Sequence, residues 1–139
     1  MQEYVKKARR RNYGVQFRLC ESVKEAGHRL ALATTDEEDA ERWKVYKERI
    51  DTLQRMEGRI GYSGIYSITY KRTYYKPIFD DTYVAYTREL IALYDDLANA
   101  EDGKHRQIKN QIRELRQKRR EAAQYVMRDT GEIAEEFTP

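Results

Sequence analysis

The spacing of apolar residues along this chain is mainly helical. From residue 43 onward, apolar positions recur at steps of three or four, the period of one face of an α-helix. These positions are Trp43, Tyr46, Ile50, Leu53, Met56 and Ile60. Just before them, Thr35 and Glu38 form a capping-box pattern, in which the hydroxyl bonds the backbone of Glu38 and the carboxylate bonds back to Thr35. The two signals together predict a helix over residues 35–61.

Two more amphipathic stretches occupy the second half of the chain. The first predicts a helix over 80–99, because apolar residues recur at helical spacing after Asp80. Its positions are Tyr83, Tyr86, Leu90, Leu93 and Leu97, widened by Val84, Ile91 and Tyr94. The second predicts a helix over 104–128 whose apolar seam has heptad spacing. Its seam runs through Ile108, Ile112, Leu115, Arg119, Ala122 and Val126. The short connection between the two predicts a C-terminal antiparallel helical hairpin.

The charges of these two stretches agree with such a pairing. Residues 80–101 hold one base and six acids, a net charge of −5, whereas residues 102–128 hold nine bases and three acids, a net charge of +6. Helices of opposite charge attract when they lie side by side.

The first third of the chain gives two competing patterns. Tyr13, Val15, Phe17 and Leu19 alternate as in a strand, whereas Leu19, Val23, Ala26 and Leu30 have helical spacing. We expect a basic N-terminal arm over 1–12, a short extended segment over 13–19 and a helix over about 20–34.

The segment YSGIYSITYKRTYYK, residues 62–76, contains five tyrosines. Its β-branched neighbours, two preceding glycines and following proline favour a strand or small hairpin, which would pair with residues 13–19. The expected fold is therefore mainly α, with three to four helices including the C-terminal antiparallel helical hairpin, and a small tyrosine-rich β element. We expect one domain over 1–139, ending in an acidic tail over 129–139.

Composition bears on two expectations, the make-up of the hydrophobic core and the cellular location of the protein. Leu, Ile, Val and Phe make up only 26 of 139 residues, but the net charge is only +3 and twelve tyrosines are available. Large aromatic rings supply the missing apolar area, so we expect a folded chain. The single cysteine, Cys20, excludes an intramolecular disulfide and a multi-cysteine metal site. With no long apolar run and no secretion-type leader, we expect a cytoplasmic protein with no membrane partner.

The stretch SGIYSIT, residues 63–69, resembles the first half of the signature of the GIY-YIG nucleases. The resemblance implies two short strands whose tyrosines surround a metal-assisted phosphodiester cleavage. About ten positions later, where the second tyrosine motif would stand, the chain reads TYYKP. The downstream arginine and glutamate of the family have no assigned match here, since Arg88 and Glu89 fall in the helix predicted over 80–99. A plain strand is the favoured interpretation.

Three groups of residues are candidate partner-binding sites. The N-terminal run KKARRR is either a phosphate-neutralising arm, a dock for an acidic protein or a solvated end. The cations of 71–76 and the nearby rings form either a stacking platform for bases or one face of a core strand. Arg119 lies on the apolar seam of the helix predicted over 104–128. Either the seam opens to solvent at this position, or Arg119 pairs with an acid that fixes the register of the helices or the choice of partner. The residues are Lys6, Lys7, Arg9, Arg10, Arg11, Lys71, Arg72, Tyr75, Lys76 and Arg119.

Catalytic chemistry finds little support in the sequence. His28 and His105 fall in separate helical contexts, where surface or helix-terminal positions are expected, and Cys20 reads as a small buried apolar residue. No phosphate-binding glycine loop, HExxH pair or CxxC pair is present. We expect no catalytic residues, no metal and no cofactor.

The sequence therefore favours a non-enzymatic interaction protein that binds a protein partner through tyrosines and charged helix faces. In size, charge density and lack of motifs it resembles the accessory proteins with which phages inhibit or redirect host enzymes. The alternative is a nucleic-acid-binding protein that uses the basic arm and the Tyr/Lys/Arg strand. A nuclease remnant and a structural protein that self-associates through the Ile108 to Val126 seam are less favoured.

Overall fold

The computed structural model describes the backbone of residues 2–60 and 75–134, and the side chains of residues 17–56 and 75–134. Within these ranges the chain is mainly helical, with four α-helices and one small antiparallel sheet of two strands. The predicted fold class is confirmed at this level. Most of the predicted tyrosine-rich segment, residues 62–74, lies outside the described residues.

The elements have the following bounds. They are α1 (Gln2–Ala31), α2 (Asp36–Ile60), β1 (Tyr75–Pro77), α3 (Asp81–Asn99), a 3₁₀ turn (Asp102–Lys104), α4 (His105–Ala122) and β2 (Tyr125–Met127). Their contacts divide the chain into two compact units. Unit 1 comprises Met1–Ala31 and Ala40–Thr73, and unit 2 comprises Leu32–Asp39 and Tyr74–Pro139. The expectation of a single domain stays a prediction.

The N-terminal third is one continuous helix, α1. The extended segment predicted at 13–19 is therefore wrong, and the residues predicted as a basic arm belong to the same helix. Two physical reasons explain the difference. The opening residues are rich in Lys, Arg, Ala, Gln and Glu, which are strong helix formers. The strand-like alternation covers only four positions, and its last member, Leu19, also begins the helical stripe that continues to Leu30.

Unit 1 packs α1 against α2 around a small apolar core. The buried residues are Val23 and Ala26 of α1 with Tyr46, Ile50 and Leu53 of α2, flanked by Leu19, Cys20, Leu30 and Trp43. The predicted α2 stripe is confirmed at its three central positions. Gly27 allows the close approach of the helices, since a Cβ there would lie 3.0 Å from Cε2 of Tyr46. Nη1 of Arg49 also donates to the backbone oxygen of Ser22 at 2.9 Å, which ties the two helices by a polar contact.

The start of α2 follows the predicted cap with one change. The backbone amide of Glu38 donates to Oγ1 of Thr35 at 3.1 Å, as the capping box requires. The Glu38 carboxylate accepts a hydrogen bond from Oγ1 of Thr34 at 2.7 Å, one residue before the predicted partner. The start of α3 also agrees with the prediction, because the Asp80 side chain accepts from the backbone amide of Tyr83 at 2.8 Å.

In unit 2, α3 and α4 pack against each other and the chain then changes direction. Arg119 of α4 contacts Thr87 of α3, which joins the later part of one helix to the early part of the other. The antiparallel hairpin as such stays a prediction. The predicted end of the last helix at residue 128 is wrong: α4 stops at Ala122, and Ala123 has extended backbone angles. Residues Tyr125–Met127 form β2 instead, since Tyr and Val favour strands.

The sheet pairs β1 with β2 in antiparallel register. Tyr75 lies opposite Met127, Lys76 opposite Val126 and Pro77 opposite Tyr125. The predicted pairing of this β element with residues 13–19 is wrong, because those residues are helical. The amide of Ile78 continues the ladder to the carbonyl oxygen of Gln124 at 2.8 Å.

A tight turn follows β2 and returns the chain along it. The amide of Met127 donates to the carbonyl oxygen of Glu132, and the amide of Gly131 donates to that of Met127, both at 2.9 Å. Gly131 has a φ of 72°, the left-handed region that side chains with a Cβ disfavour. The turn thus depends on glycine at this position.

Replacing Gly131 by Ala should lower the free energy of unfolding by about 1–2 kcal/mol, because an L-residue in left-handed backbone is strained. Nothing lies within 4 Å of the added methyl group, so crowding adds no further cost. The control is Gly103→Ala, where the space is equally open and φ is not positive. That change should be neutral or stabilising by up to about 1 kcal/mol. Urea denaturation measures both, and equal losses would contradict the backbone explanation.

Candidate functional site

The interior of unit 2 contains a cluster of polar side chains that bond one another. We call it the unit 2 polar cluster, and its members are Asp39, Tyr83, Thr87, Arg119 and Arg128. Asp39 is 2% exposed and Thr87 is fully buried. Buried polar groups are costly unless they are paired, so the contacts among these side chains determine whether the interior is stable.

The first part of the cluster is an ion pair between the start of α2 and the turn after β2. The guanidinium of Arg128 binds both carboxylate oxygens of Asp39, and its Nη2 lies 3.1 Å from Oδ1. The two side chains are 10% and 3% exposed. A bidentate pair of this kind satisfies both charges in the interior and fixes their geometry.

The second part of the cluster surrounds Arg119. Its Nη1 donates to the hydroxyl of Thr87 at 2.9 Å, and that hydroxyl donates to the backbone oxygen of Tyr83 at 2.9 Å. Its guanidinium carbon lies 4.8 Å from the ring centroid of Tyr83, within range of a cation–π contact. Arg119 is 9% exposed, so the expectation that the seam frays into solvent here is wrong. The reason is that a hydroxyl and an aromatic face receive the guanidinium.

Burial also shifts the titration of two tyrosines in unit 2. Desolvation raises the pKa of Tyr83 to about 12, against an opposing effect of the positive charge of Arg119. Desolvation likewise raises the pKa of Tyr125, which is partly offset by the nearby charges of Arg119 and Arg120. Both phenols are therefore held in the neutral form at high pH.

Stability should fall as the pH rises from 10 to about 12. The phenol of Tyr83 ionises near pH 10 in the unfolded chain but keeps its proton to about pH 12 in the folded one. The folded state holds more protons in this window, so the free energy of unfolding decreases with pH, by on the order of 2 kcal/mol. Urea denaturation at several pH values measures the loss. Tyr83→Phe keeps the ring beside Arg119 and should lose less stability over the same window; an identical loss in both proteins would exclude this phenol as the cause.

A second feature of unit 2 is a row of bases on the outside of α4. We call it the α4 basic face, and its members are Arg106, Lys109, Arg113, Arg116 and Arg120. At about 100° per residue they fall within an arc of about 80°, and the row extends about 21 Å along the helix axis. Arg120 is half-buried and the other four are exposed. The helix thus has one apolar face toward α3 and one basic face toward solvent.

The acids of α3 do not neutralise this face. No ion pair joins α3 to α4 among the described residues, although the opposite charges of the two stretches predicted attraction between them. Arg120 donates to the side-chain oxygen of Gln117 at 3.4 Å. The four exposed members make no ion pair or side-chain hydrogen bond within the described part of the chain. Their charges face water.

The candidate residues from the sequence are not brought together by the described structure. Lys6, Lys7, Arg9, Arg10 and Arg11 lie on α1, where the side chains fall outside the described part, and Lys71 and Arg72 lie in the segment 62–74. Tyr75 is half-buried on β1, opposite Met127. Lys76, also on β1, pairs with Asp36 at 3.1 Å. Arg119 lies in the unit 2 polar cluster.

The histidines and the cysteine considered as catalytic candidates lie at helix ends or beside the unit 1 core. His28 is in the last turn of α1 and His105 is the first residue of α4, where one ring nitrogen lies 2.9 Å from the backbone oxygen of Ala100. Both are helix-terminal, as expected. Cys20 packs beside the unit 1 core. Arg88 and Glu89, which were not assigned to the nuclease motif, are exposed on α3, and SGIYSIT lies outside the described residues.

Three further findings concern a surface groove, metal ligands and membrane-spanning helices. A shallow groove of about 400 Å³ runs between α3 and α4, lined by residues including Leu93, Leu115 and Lys118. Within the part of the chain that the structure describes, no three His, Cys, Asp or Glu side chains are grouped so that they would hold a metal ion. Across those same residues, every helix is too polar or too short to cross a bilayer.

Comparison of the chain with protein-family models, with curated proteins and with solved structures found no match.

The sequence patterns did not predict the unit 2 polar cluster or the unneutralised charge of the α4 basic face, for different reasons. Thr87 had a usable signal, since it lies on the α3 stripe four residues after Tyr83 and three before Leu90. Asp39 lies in a run of acids, which suits the start of any helix, and Arg128 was predicted as the last residue of a helix but lies in the turn after β2. The α4 basic face was readable from its spacing of three and four, but the acids of α3 were expected to neutralise it.

Proposed function

We propose that this chain is a non-enzymatic interaction protein that binds an acidic macromolecule through the α4 basic face. One observation carries the proposal: four exposed bases in one row have no acidic partner among the described residues. Exposed charges of one sign attract ligands of the opposite sign and raise the rate of encounter. The unit 2 polar cluster supports it indirectly, because Arg119 of α4 bonds Thr87 and contacts the ring of Tyr83 in the interior, which leaves the α4 basic face on the outside.

The narrower expectations from the sequence belong to the same proposal. A protein partner was favoured there, with nucleic acid as the alternative, and both classes present acidic surfaces. A phage-type inhibitor or modulator of a host enzyme, acting in the cytoplasm, fits a small binding module of this kind. Self-association through the Ile108 to Val126 seam is less favoured, since Ile112 and Arg119 are buried within unit 2 and Val126 belongs to β2.

Affinity capture with matched variants tests the proposal. The α4 variant carries Arg106→Gln, Lys109→Gln and Arg113→Gln, and the control variant carries Lys44→Gln, Lys47→Gln and Lys118→Gln. Each removes three exposed positive charges and retains a good helix former. A partner identified in the eluate of the wild type and the control variant, and lost from the α4 variant, is the expected result. The same eluate from all three proteins would contradict a role for the α4 basic face.

A further inference from the structure

The α4 basic face has the shape of a contact with a charged polymer. Its length of about 21 Å follows a straight helix axis, and duplex DNA presents one negative charge per about 1.7 Å of its own axis. A ligand with regularly repeated charges can meet every member of such a row at once. An α-helix with its side chains is about 10–12 Å across, close to the width of the major groove.

We infer that the α4 basic face binds the phosphate backbone of duplex DNA without reading its sequence. The inference rests on the proposed function, because it names the partner class of the same surface. Arg and Lys are the usual phosphate contacts, and such contacts position a protein on the duplex without carrying sequence information. The site is distinct from the basic run of residues 6–11 and from the cations of 71–76.

An acidic protein partner is disfavoured because the α4 basic face has no large apolar side chain that could anchor a protein interface. The centres of protein interfaces are depleted in charged residues and are anchored by buried aromatic side chains. Helix α4 has no Phe, Tyr or Trp over its whole length. The large apolar side chains exposed among the described residues, Phe17, Val45 and Ile133, lie on other elements. The face therefore offers charge with no apolar anchor, which suits a phosphate backbone better than a protein surface.

A single-stranded ligand is disfavoured for a related reason. Proteins that hold single strands combine bases with aromatic rings on which the unpaired nucleobases stack. Helix α4 has no Phe, Tyr or Trp, and the ring of His105 is half-buried against the backbone oxygen of Ala100, so α4 offers an unpaired nucleobase no exposed ring on which to stack. A duplex keeps its bases stacked internally and needs only neutralisation of its phosphates.

The acids of α4 leave the row open. Glu114 and Glu121 lie about 100° or more around the helix from the centre of the row, outside its arc. Between the row and Glu121 lies Gln117, whose side-chain oxygen accepts from Arg120 and whose amide nitrogen donates to Glu121 at 2.9 Å. Asn110, about 80° from the centre of the row, carries an amide group that is an additional donor for phosphate oxygens. A phosphate strand approaching the row thus meets five cations and the amide of Asn110.

Five phosphate contacts set the expected salt dependence. The logarithm of the binding constant should fall with the logarithm of salt concentration with a slope of about −4.5, which is a loss of about 500-fold between 50 and 200 mM. The α4 variant keeps two of the five cations, so its slope should be about −1.8. Its affinity at about 50 mM salt should fall by 100-fold or more.

Fluorescence anisotropy with the full chain tests the inference. The probes are a labelled duplex of about 20 base pairs, two helical turns, a single strand of one of its sequences and a labelled poly-glutamate. The proteins are the wild type, the α4 variant, the control variant and an arm variant with Arg9→Gln, Arg10→Gln and Arg11→Gln. Circular dichroism confirms that each variant keeps its helix content.

The expected result is duplex binding by the wild type and the control variant with the steep slope, and weak binding with the shallow slope by the α4 variant. Equal losses in the α4 and control variants, a loss confined to the arm variant, or no duplex binding at about 50 mM salt would overturn it. Tighter binding of the single strand or of poly-glutamate would also overturn it. In any of these cases, the proposed function would still hold if a partner captured through the α4 basic face survives nuclease treatment. If no such partner is captured, the inference and the proposed function are both wrong.

Discussion

Replacing Arg128 by Met should lower the free energy of unfolding by about 3–5 kcal/mol, because it leaves the Asp39 carboxylate buried without its partner. Asp39 is only 3% exposed at the side chain and is held on the rigid first turn of α2, so it cannot reach water without opening the structure. Met preserves most of the length and apolar volume of the arginine stem, so packing is little changed. Urea denaturation followed by far-ultraviolet circular dichroism measures the loss.

A double-mutant cycle separates the ion pair from simple loss of packing. Asp39→Leu combined with Arg128→Met removes both charges together, and replacement of a buried pair by apolar residues is often neutral. The double variant should therefore lie closer to the wild type than the Arg128→Met variant does. Additive losses would show that the two side chains are not coupled and would contradict the proposed role of the pair.

Sequence patterns predicted the bounds of α2 and α3 but not the side-chain contacts in the interior of unit 2. Periodicity placed α2 and α3 within one or two residues of their observed bounds, since each has an apolar stripe and a capping residue before it. The unit 2 polar cluster joins residues 39, 87, 119 and 128, which are far apart in the chain. A pattern within one helix contains no information about a partner on another element, so Arg119 could be located on the seam without its contacts being known.

The ends of α1 and α4 were predicted less well because two tendencies compete there. A four-residue alternation was given more weight than the helix-forming residues of the first third, and the helix continued through it. At the other end, the heptad spacing of the seam extended to Val126, but the backbone of Ala123 is extended and Val126 pairs with Lys76. Contact with β1, which lies about 50 positions earlier in the sequence, thus overrides a local helical pattern.

Replacing Leu53 by Ala should destabilise unit 1 by about 2–5 kcal/mol, the range for a fully buried leucine. Leu53 is 0% exposed and packs with Tyr46 and Ile50 in the small core between α1 and α2. Among the side chains that the structure describes, five are buried in this core, and few of them can move to fill the space, so a cavity should persist. The cost combines the lost transfer free energy of the side chain with that of the cavity.

Trp43 gives a local measurement of this loss, because it is the single tryptophan of the chain and packs beside the same core. Urea denaturation followed by tryptophan fluorescence should show a lower midpoint for Leu53→Ala with a similar slope, which indicates a change in stability rather than in the surface exposed on unfolding. Val45→Ala, on the exposed side of the same helix, is the matched control and should change stability by less than about 0.5 kcal/mol. Similar midpoints for the two variants would mean that the α1–α2 core does not stabilise unit 1 as its packing indicates.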